Sequence, residues 1–108
     1  MVDEAVRTAL RRLVDERDWA QFHTPASLAR SVVIEAGELL ECFQWSDQGD
    51  PDAVRDELAD VLTYCLLLAD KLELDPDAIV LSKLESTQRK YPIDKARGRS
   101  TKYDRLPD

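Results

Sequence analysis

Three residue pairs constrain this chain's fold more than any other feature of it: Thr24-Pro25, Asp50-Pro51 and Asp75-Pro76. In each, a side-chain oxygen that can accept a bond from a free backbone N–H precedes a proline. The proline ring is preset for helical φ, and its missing donor is no loss in a first turn. The pairs therefore predict helix starts at Pro25, Pro51 and Pro76. With a first helix opening near Asp3, the reading predicts helices over about residues 3–17, 25–46, 51–73 and 76–90, the second closed by Gly49. Beyond Tyr91-Pro92 the apolar period stops, and an irregular basic tail is expected over 92–108. No segment alternates as a strand does. A chain of 108 residues has the size of one domain, so the expectation is a single all-α domain, a four-helix bundle, over residues 1–108.

The apolar positions place two pairs of acids. At about 100° per residue, Leu28, Val32, Val33, Ala36, Leu39, Leu40 and Phe43 form one arc on the second helix. Glu35 falls at the edge of this arc, and Glu38 lies roughly 60° beyond it. The third helix repeats the arrangement: Val54, Leu58, Val61, Leu62, Cys65, Leu68 and Leu72 make the stripe, with Glu57 at its edge and Asp60 beyond. A short connection makes the two helices antiparallel neighbours, so four carboxylates can converge at one rim of a shared core. Acids that close repel one another and need protons, basic partners or a metal. With His23 the one histidine, all-oxygen ligation favours Mg²⁺ over zinc. The alternative is ordinary: glutamates three apart are common on solvated helix faces, and a non-enzymatic helical dimerisation module would carry such rims without a metal. Glu41 points away from the stripe and illustrates that reading.

Charge narrows the function. A formal net charge of -7 argues against a protein that coats nucleic acid, while a divalent cation can still bridge acids to a phosphate-bearing small substrate. Cations gather late: Lys83, Arg89, Lys90, Lys95, Arg97, Arg99, Lys102 and Arg105 face only Glu85, Asp94 and Asp104 in the same stretch. No apolar run approaches the roughly 20 residues of a membrane span. The N-terminus shows no basic-then-apolar leader, so no membrane partner and a cytoplasmic location are expected. Cys42 and Cys65 sit in apolar helical patterns and read as two buried thiols rather than a bridge. On the third helix Tyr64, Leu66 and Leu67 leave apolar groups outside the arc, which predicts a homo-oligomer, a dimer or a tetramer.

Glu35-x-x-Glu38 followed by Glu57-x-x-Asp60 resembles the metal-binding signature of the MazG-like all-alpha nucleotide pyrophosphohydrolases. Other words narrow the resemblance to the dCTP pyrophosphatase branch: Arg17-Asp18-Trp19, Phe22-His23-x-Pro25, Phe43-Gln44-Trp45, Ser82-Lys83, Arg89-Lys90-Tyr91-Pro92 and Lys102-Tyr103. It covers roughly residues 10 to 106 and implies hydrolysis of a nucleoside triphosphate to the monophosphate and pyrophosphate, by attack of water on the α-phosphorus. It assigns Glu35, Glu38, Glu57 and Asp60 to catalysis and to Mg²⁺, with Mn²⁺ as a substitute. Trp19 and Trp45 would wall the base, Tyr64 would lie near the substrate, and Lys83, Arg89, Lys90 and Lys102 would meet phosphates. His23 and Thr87 complete the implied substrate contacts. Vertebrate members carry asparagine where this chain has Thr87 and histidine where it has Leu10, which leaves the base open between dCTP, dUTP and broader NTPs. The implied role is cleansing the nucleotide pool, and the implied assembly is a tetramer.

Overall fold

Each proline that follows a capping residue opens a helix. The computed structural model describes residues 2–108, and every regular element among them is helical. These are α1 (Glu4–Glu16), α2 (Pro25–Glu41), α3 (Pro51–Lys71), α4 (Pro76–Lys90) and a short α5 (Ile93–Ala96), with single 3₁₀ turns at Ala20–Phe22 and Tyr103–Arg105. Thr24 starts α2 with a reciprocal box: its Oγ1 accepts from the Ser27 N–H at 3.0 Å, and Ser27 Oγ accepts from the Thr24 N–H at 2.9 Å. Asp3 caps α1 by accepting from the Ala5 N–H at 2.8 Å. Asp50 makes no such side-chain bond; its extended backbone and Pro51 alone turn the chain into α3.

The ends were harder to read than the starts. The second helix stops at Glu41 rather than near residue 46, because the N–H groups of Cys42, Phe43 and Gln44 tighten onto carbonyls three residues back. α1 and α3 end in matching turns. Trp19 N–H donates to Val14 O at 3.0 Å and Asp18 N–H to Asp15 O at 3.2 Å; Leu74 N–H donates to Ala69 O at 2.8 Å and Glu73 N–H to Asp70 O at 3.1 Å. Both are Schellman closures. The left-handed position, usually a glycine, is held by Asp18 (φ 54°) in one and Glu73 (φ 57°) in the other. The stretch beyond Tyr91 is not irregular throughout, as α5 and the last 3₁₀ turn show.

The chain forms two compact units, one running to Asp75 and the other from Pro76 to Asp108. In the first, α2 and α3 are antiparallel. Leu28, at the start of α2, shares a cleft of about 260 Å³ with Leu67 and Asp70, at the end of α3, whereas Glu35 meets Glu57 and Asp60 near its middle. α1 packs against α3. Arg11 ties the two together, its Nη2 at 2.7 Å and Nε at 3.1 Å from Asp70 Oδ1. That hydrogen bond holds the Asp70 carboxyl below its ordinary pKa. Leu28, Val14 and Ala69 are buried between these helices. Much of the expected arc is not: Val33 is 70% and Leu40 71% exposed, and Leu58, Leu62 and Leu72 are open to solvent. Cys65 is also exposed, contrary to expectation, and Cys42 is half-buried; both are free thiols.

Gly49 closes the α2–α3 connection in a left-handed conformation (φ 64°). A Cβ there would stand 3.0 Å from Cys42 O and 3.0 Å from Val54 Cγ2. Gly49→Ala therefore meets both backbone strain and a clash, and is expected to lower unfolding free energy by about 1–3 kcal/mol in urea titrations. A midpoint equal to that of the parent protein would show that the connection relaxes without loss.

Candidate active site

Two turns of α2 and two of α3, facing each other in antiparallel register, assemble the acids. An i, i+3 spacing puts Glu35 beside Glu38 and Glu57 beside Asp60. The helix pairing then brings one carboxylate oxygen each from Glu35, Glu57 and Asp60 within 4.8 Å of one another. Glu35 and Glu57 are half-buried; Glu38 and Asp60 are exposed. Glu38 is outside that trio, yet it lies against both half-buried acids. Its hydrogen bond to Glu35, which needs a shared proton, is the largest cause of a raised Glu35 pKa, followed by burial and the nearby negative charges. Burial is the largest cause for Glu57, with Glu38 and Asp60 adding to it. Oε2 of Glu35 and Oε2 of Glu57 are closed to solvent and meet no donor among the described residues.

Shielded carboxylate oxygens without donors are what a cation would satisfy. Two oxygens on opposite sides of Mg²⁺ or Ca²⁺ stand roughly 4–5 Å apart, so a trio spread over this distance can share one divalent ion. The donor set is all oxygen, which suits a hard cation that also carries phosphate oxygens. Glu41 is exposed and is not one of the three acids that gather here.

The other residues singled out in the sequence lie in several places. Trp19 follows the closure of α1 and is 44% exposed, with the Arg17 guanidinium 5.7 Å from its ring centre. Trp45 stands on the α2–α3 connection with 89% of its surface open. Tyr64 is half-buried on α3, two turns after Glu57. His23 does not join the acids: it lines the cleft with Arg11, Asp15 and Asp70, a cleft none of the four carboxylates touches. In the second unit Lys83 sits among Ile79, Val80 and Leu84 on α4. Thr87 Oγ1 donates to Lys83 O at 3.2 Å. Arg89 is exposed in the last turn of α4, Lys90 places its ammonium 4.7 Å over the Tyr103 ring, and Lys102 is exposed. Sequence reasoning missed Arg17 over Trp19 and the pairing of Tyr91 with Tyr103. The first was signalled by the word Arg17-Asp18-Trp19; the second spans twelve positions and has no local period.

Comparison with known proteins adds an independent line. A model of the MazG-like family matches residues 31–106. Human dCTP pyrophosphatase 1 is 40% identical over 114 aligned positions, covering 96% of this chain and 67% of its own length. The mouse dCTP pyrophosphatase 1 is 37% identical with the same coverage. Among solved structures, a pyrophosphatase from Archaeoglobus fulgidus superposes with a TM-score of 0.78 and 40% identity, over 82% of this chain and 91% of that one.

Raised Glu35 and Glu57 pKa values mean that the fold favours their protonated forms. Metal-free protein should therefore be more stable in mild acid and lose that stability as pH rises through the folded pKa values. Asp70 works the opposite way, stabilising above its unfolded pKa and failing only in stronger acid. Thermal unfolding in EDTA is expected to give a Tm that falls as pH rises above the ordinary glutamate range, with excess Mg²⁺ restoring it at neutral pH. A flat profile that Mg²⁺ leaves unmoved would remove the crowding of these acids as a factor.

Proposed function

The chain belongs to the MazG-like family and is a nucleoside triphosphate pyrophosphatase, and from that premise we propose that it cleaves dCTP or a related pyrimidine dNTP to the monophosphate and pyrophosphate, with Mg²⁺ held by Glu35, Glu38, Glu57 and Asp60. The carrying observation is the trio of carboxylate oxygens within 4.8 Å, two of the acids having a shielded oxygen that no donor meets. Its proposed role is the removal of unwanted triphosphates from the nucleotide pool.

The chemistry follows from what the residues can do. Water forms a bond to the α-phosphorus, the bond from that phosphorus to the α,β-bridging oxygen breaks, and pyrophosphate leaves with its electron pair. A carboxylate of the cluster takes the proton from the water. When bound, the divalent ion supplies neutralisation of the phosphate oxygens and a fixed orientation for them. Glu35 and Glu57 are half-buried and Glu38 and Asp60 exposed, so on this reading the outer pair is the one that substrate meets first. Trp19 and Trp45 offer open aromatic faces, and stacking of a base on such a face contributes about 1–3 kcal/mol. Lys83, Arg89, Lys90 and Lys102 are the cations proposed for phosphate, and Tyr64 and Thr87 are further proposed substrate contacts; His23 would meet substrate only from a cleft that none of the four carboxylates touches.

The same reading includes a homo-oligomer. Val33, Ile34 and Leu40 on α2, with Leu58 and Leu62 on α3, are large apolar groups exposed on the helices that carry the acids. A self-association face covers such groups best when closed symmetry repeats the contact. In light scattering, the expected mass is at least twice 12.3 kDa at micromolar concentration. A monomeric mass with full activity would exclude a shared assembly.

With a panel of NTPs and dNTPs, pyrophosphate and NMP are expected as primary products, with no turnover in EDTA and recovery in Mg²⁺ or Mn²⁺. Asp60→Asn is expected to lower kcat by about 10²-fold or more while the helical circular dichroism stays intact. Orthophosphate as the first product would overturn attack at the α-phosphorus.

A further inference from the structure

The second unit ends in a closed, ordered loop rich in unpaired cations, and we infer that this loop binds a polyphosphate anion through Arg97 and Arg99. Its two ends are tied together. Tyr103 N–H donates to Tyr91 Oη at 3.2 Å, and the two rings meet edge to face at 6.1 Å between centres. The Lys90 ammonium lies over the Tyr103 ring and bolts the clasp from the last turn of α4. Between the tyrosines, Lys95 and Ala96 N–H groups donate to Pro92 O, which winds the one turn of α5.

The chain then reverses at Ala96–Arg99. Arg97 has φ −59° and ψ 126°, Gly98 has φ 74°, and Arg99 N–H donates to Ala96 O at 3.1 Å. This is a hydrogen-bonded type II turn, whose third position needs a left-handed residue, here glycine. An arginine thus stands on each side of a fixed reversal, ordered before any ligand arrives. Order of this kind lowers the backbone entropy that the loop would otherwise lose on binding.

The charge of the loop is uncompensated. Lys95, Arg97, Arg99 and Lys102 face only Asp94 between the two tyrosines. None of the four cations enters an ion pair among the described residues, whereas Arg11, Arg12, Arg17 and Arg55 are each beside a carboxylate of their own region. Arg97, Arg99 and Lys102 are exposed. A guanidinium presents a planar fork of donors that matches two oxygens of one phosphate. Two forks flanking one turn suit an anion with phosphates in series better than an isolated phosphate. The formal charge of -7 on the whole chain disfavours a nucleic-acid polymer, which would meet acidic surface beyond the loop. The choice of a polyphosphate rests on the pyrophosphatase reading; the binding of an anion by the loop does not.

The full chain, kept in EDTA at low salt, separates the two. Without metal the acidic cluster repels a polyanion, so heat from titrated sodium tripolyphosphate reports the chain's cations, and the loop's share is read from its variants. The parent protein is expected to bind it, with affinity falling as salt rises. Arg97→Gln/Arg99→Gln should weaken binding by about tenfold or more, since two phosphate contacts are lost. Gly98→Ala should weaken it too, because it leaves both charges in place and strains the turn. Asp60→Asn should not weaken it. Unchanged affinity in the double variant overturns the inference. So does orthophosphate binding as tightly as tripolyphosphate, or displacement by a single-stranded RNA oligonucleotide at lower concentration. If tripolyphosphate binds through the loop but no nucleotide is hydrolysed, the loop stands and the proposed activity falls.

Discussion

Like charge held at short range between α2 and α3 is the constraint around which the first unit is arranged. Glu35, Glu57 and Asp60 would separate if either helix were free to slide or turn. What opposes their repulsion is the geometry at the two ends of the hairpin. At one end the Thr24–Ser27 box fixes where α2 begins. At the other, Gly49 lets the connection fold against Cys42 and Val54. Beside that box the burial of Leu28 against the end of α3 limits how far the helices can shift. The acids therefore lie between two fixed ends of the hairpin, and the oxygens of Glu35 and Glu57 that meet no donor among the described residues are the visible cost of that placement.

How far the sequence could be read follows from the range of each interaction. Helix starts are local, and Thr24-Pro25, Asp50-Pro51 and Asp75-Pro76 each marked one correctly. The spacing of Glu35, Glu38, Glu57 and Asp60 is also local, and the antiparallel pairing that a short connection implies brought three of the four together. Helix ends depend on subtler bonds. The apolar arc runs on through Phe43 and so extends the expected second helix past Glu41, where the backbone already tightens. The burial of Cys65 was misjudged for a related reason: a helical apolar stripe does not say whether another element of the same chain covers it. The ordered loop beyond Tyr91 escaped notice because two tyrosines twelve positions apart hold it, and no period connects them.

The two units divide the chemistry of charge. The first concentrates acids, with Arg11 and Arg17 engaged by a carboxylate or an indole. The second carries more cations than acids, and Lys95, Arg97, Arg99 and Lys102 enter no ion pair among its described residues. The proposed activity, a metal held beside a phosphate-bearing molecule, calls for both signs of charge. The two are separated along the sequence. Each sign is built on its own scaffold: paired helices for the acids, a clasped loop for the cations.

The two Schellman turns have a consequence for motion. Asp18 and Glu73 hold the left-handed position that glycine normally fills, and each adds a negative charge at a helix C-terminus, where the backbone is already negative. Strain and charge both weaken the last turns of α1 and α3 relative to their middles. Residues from those same turns, Val14 and Asp15 on one side and Asp70, Lys71 and Glu73 on the other, line the cleft that contains His23. The burial of Leu28, Val14 and Ala69 beside those turns opposes that weakening, and amide exchange at the two closures reads the balance between strain and packing.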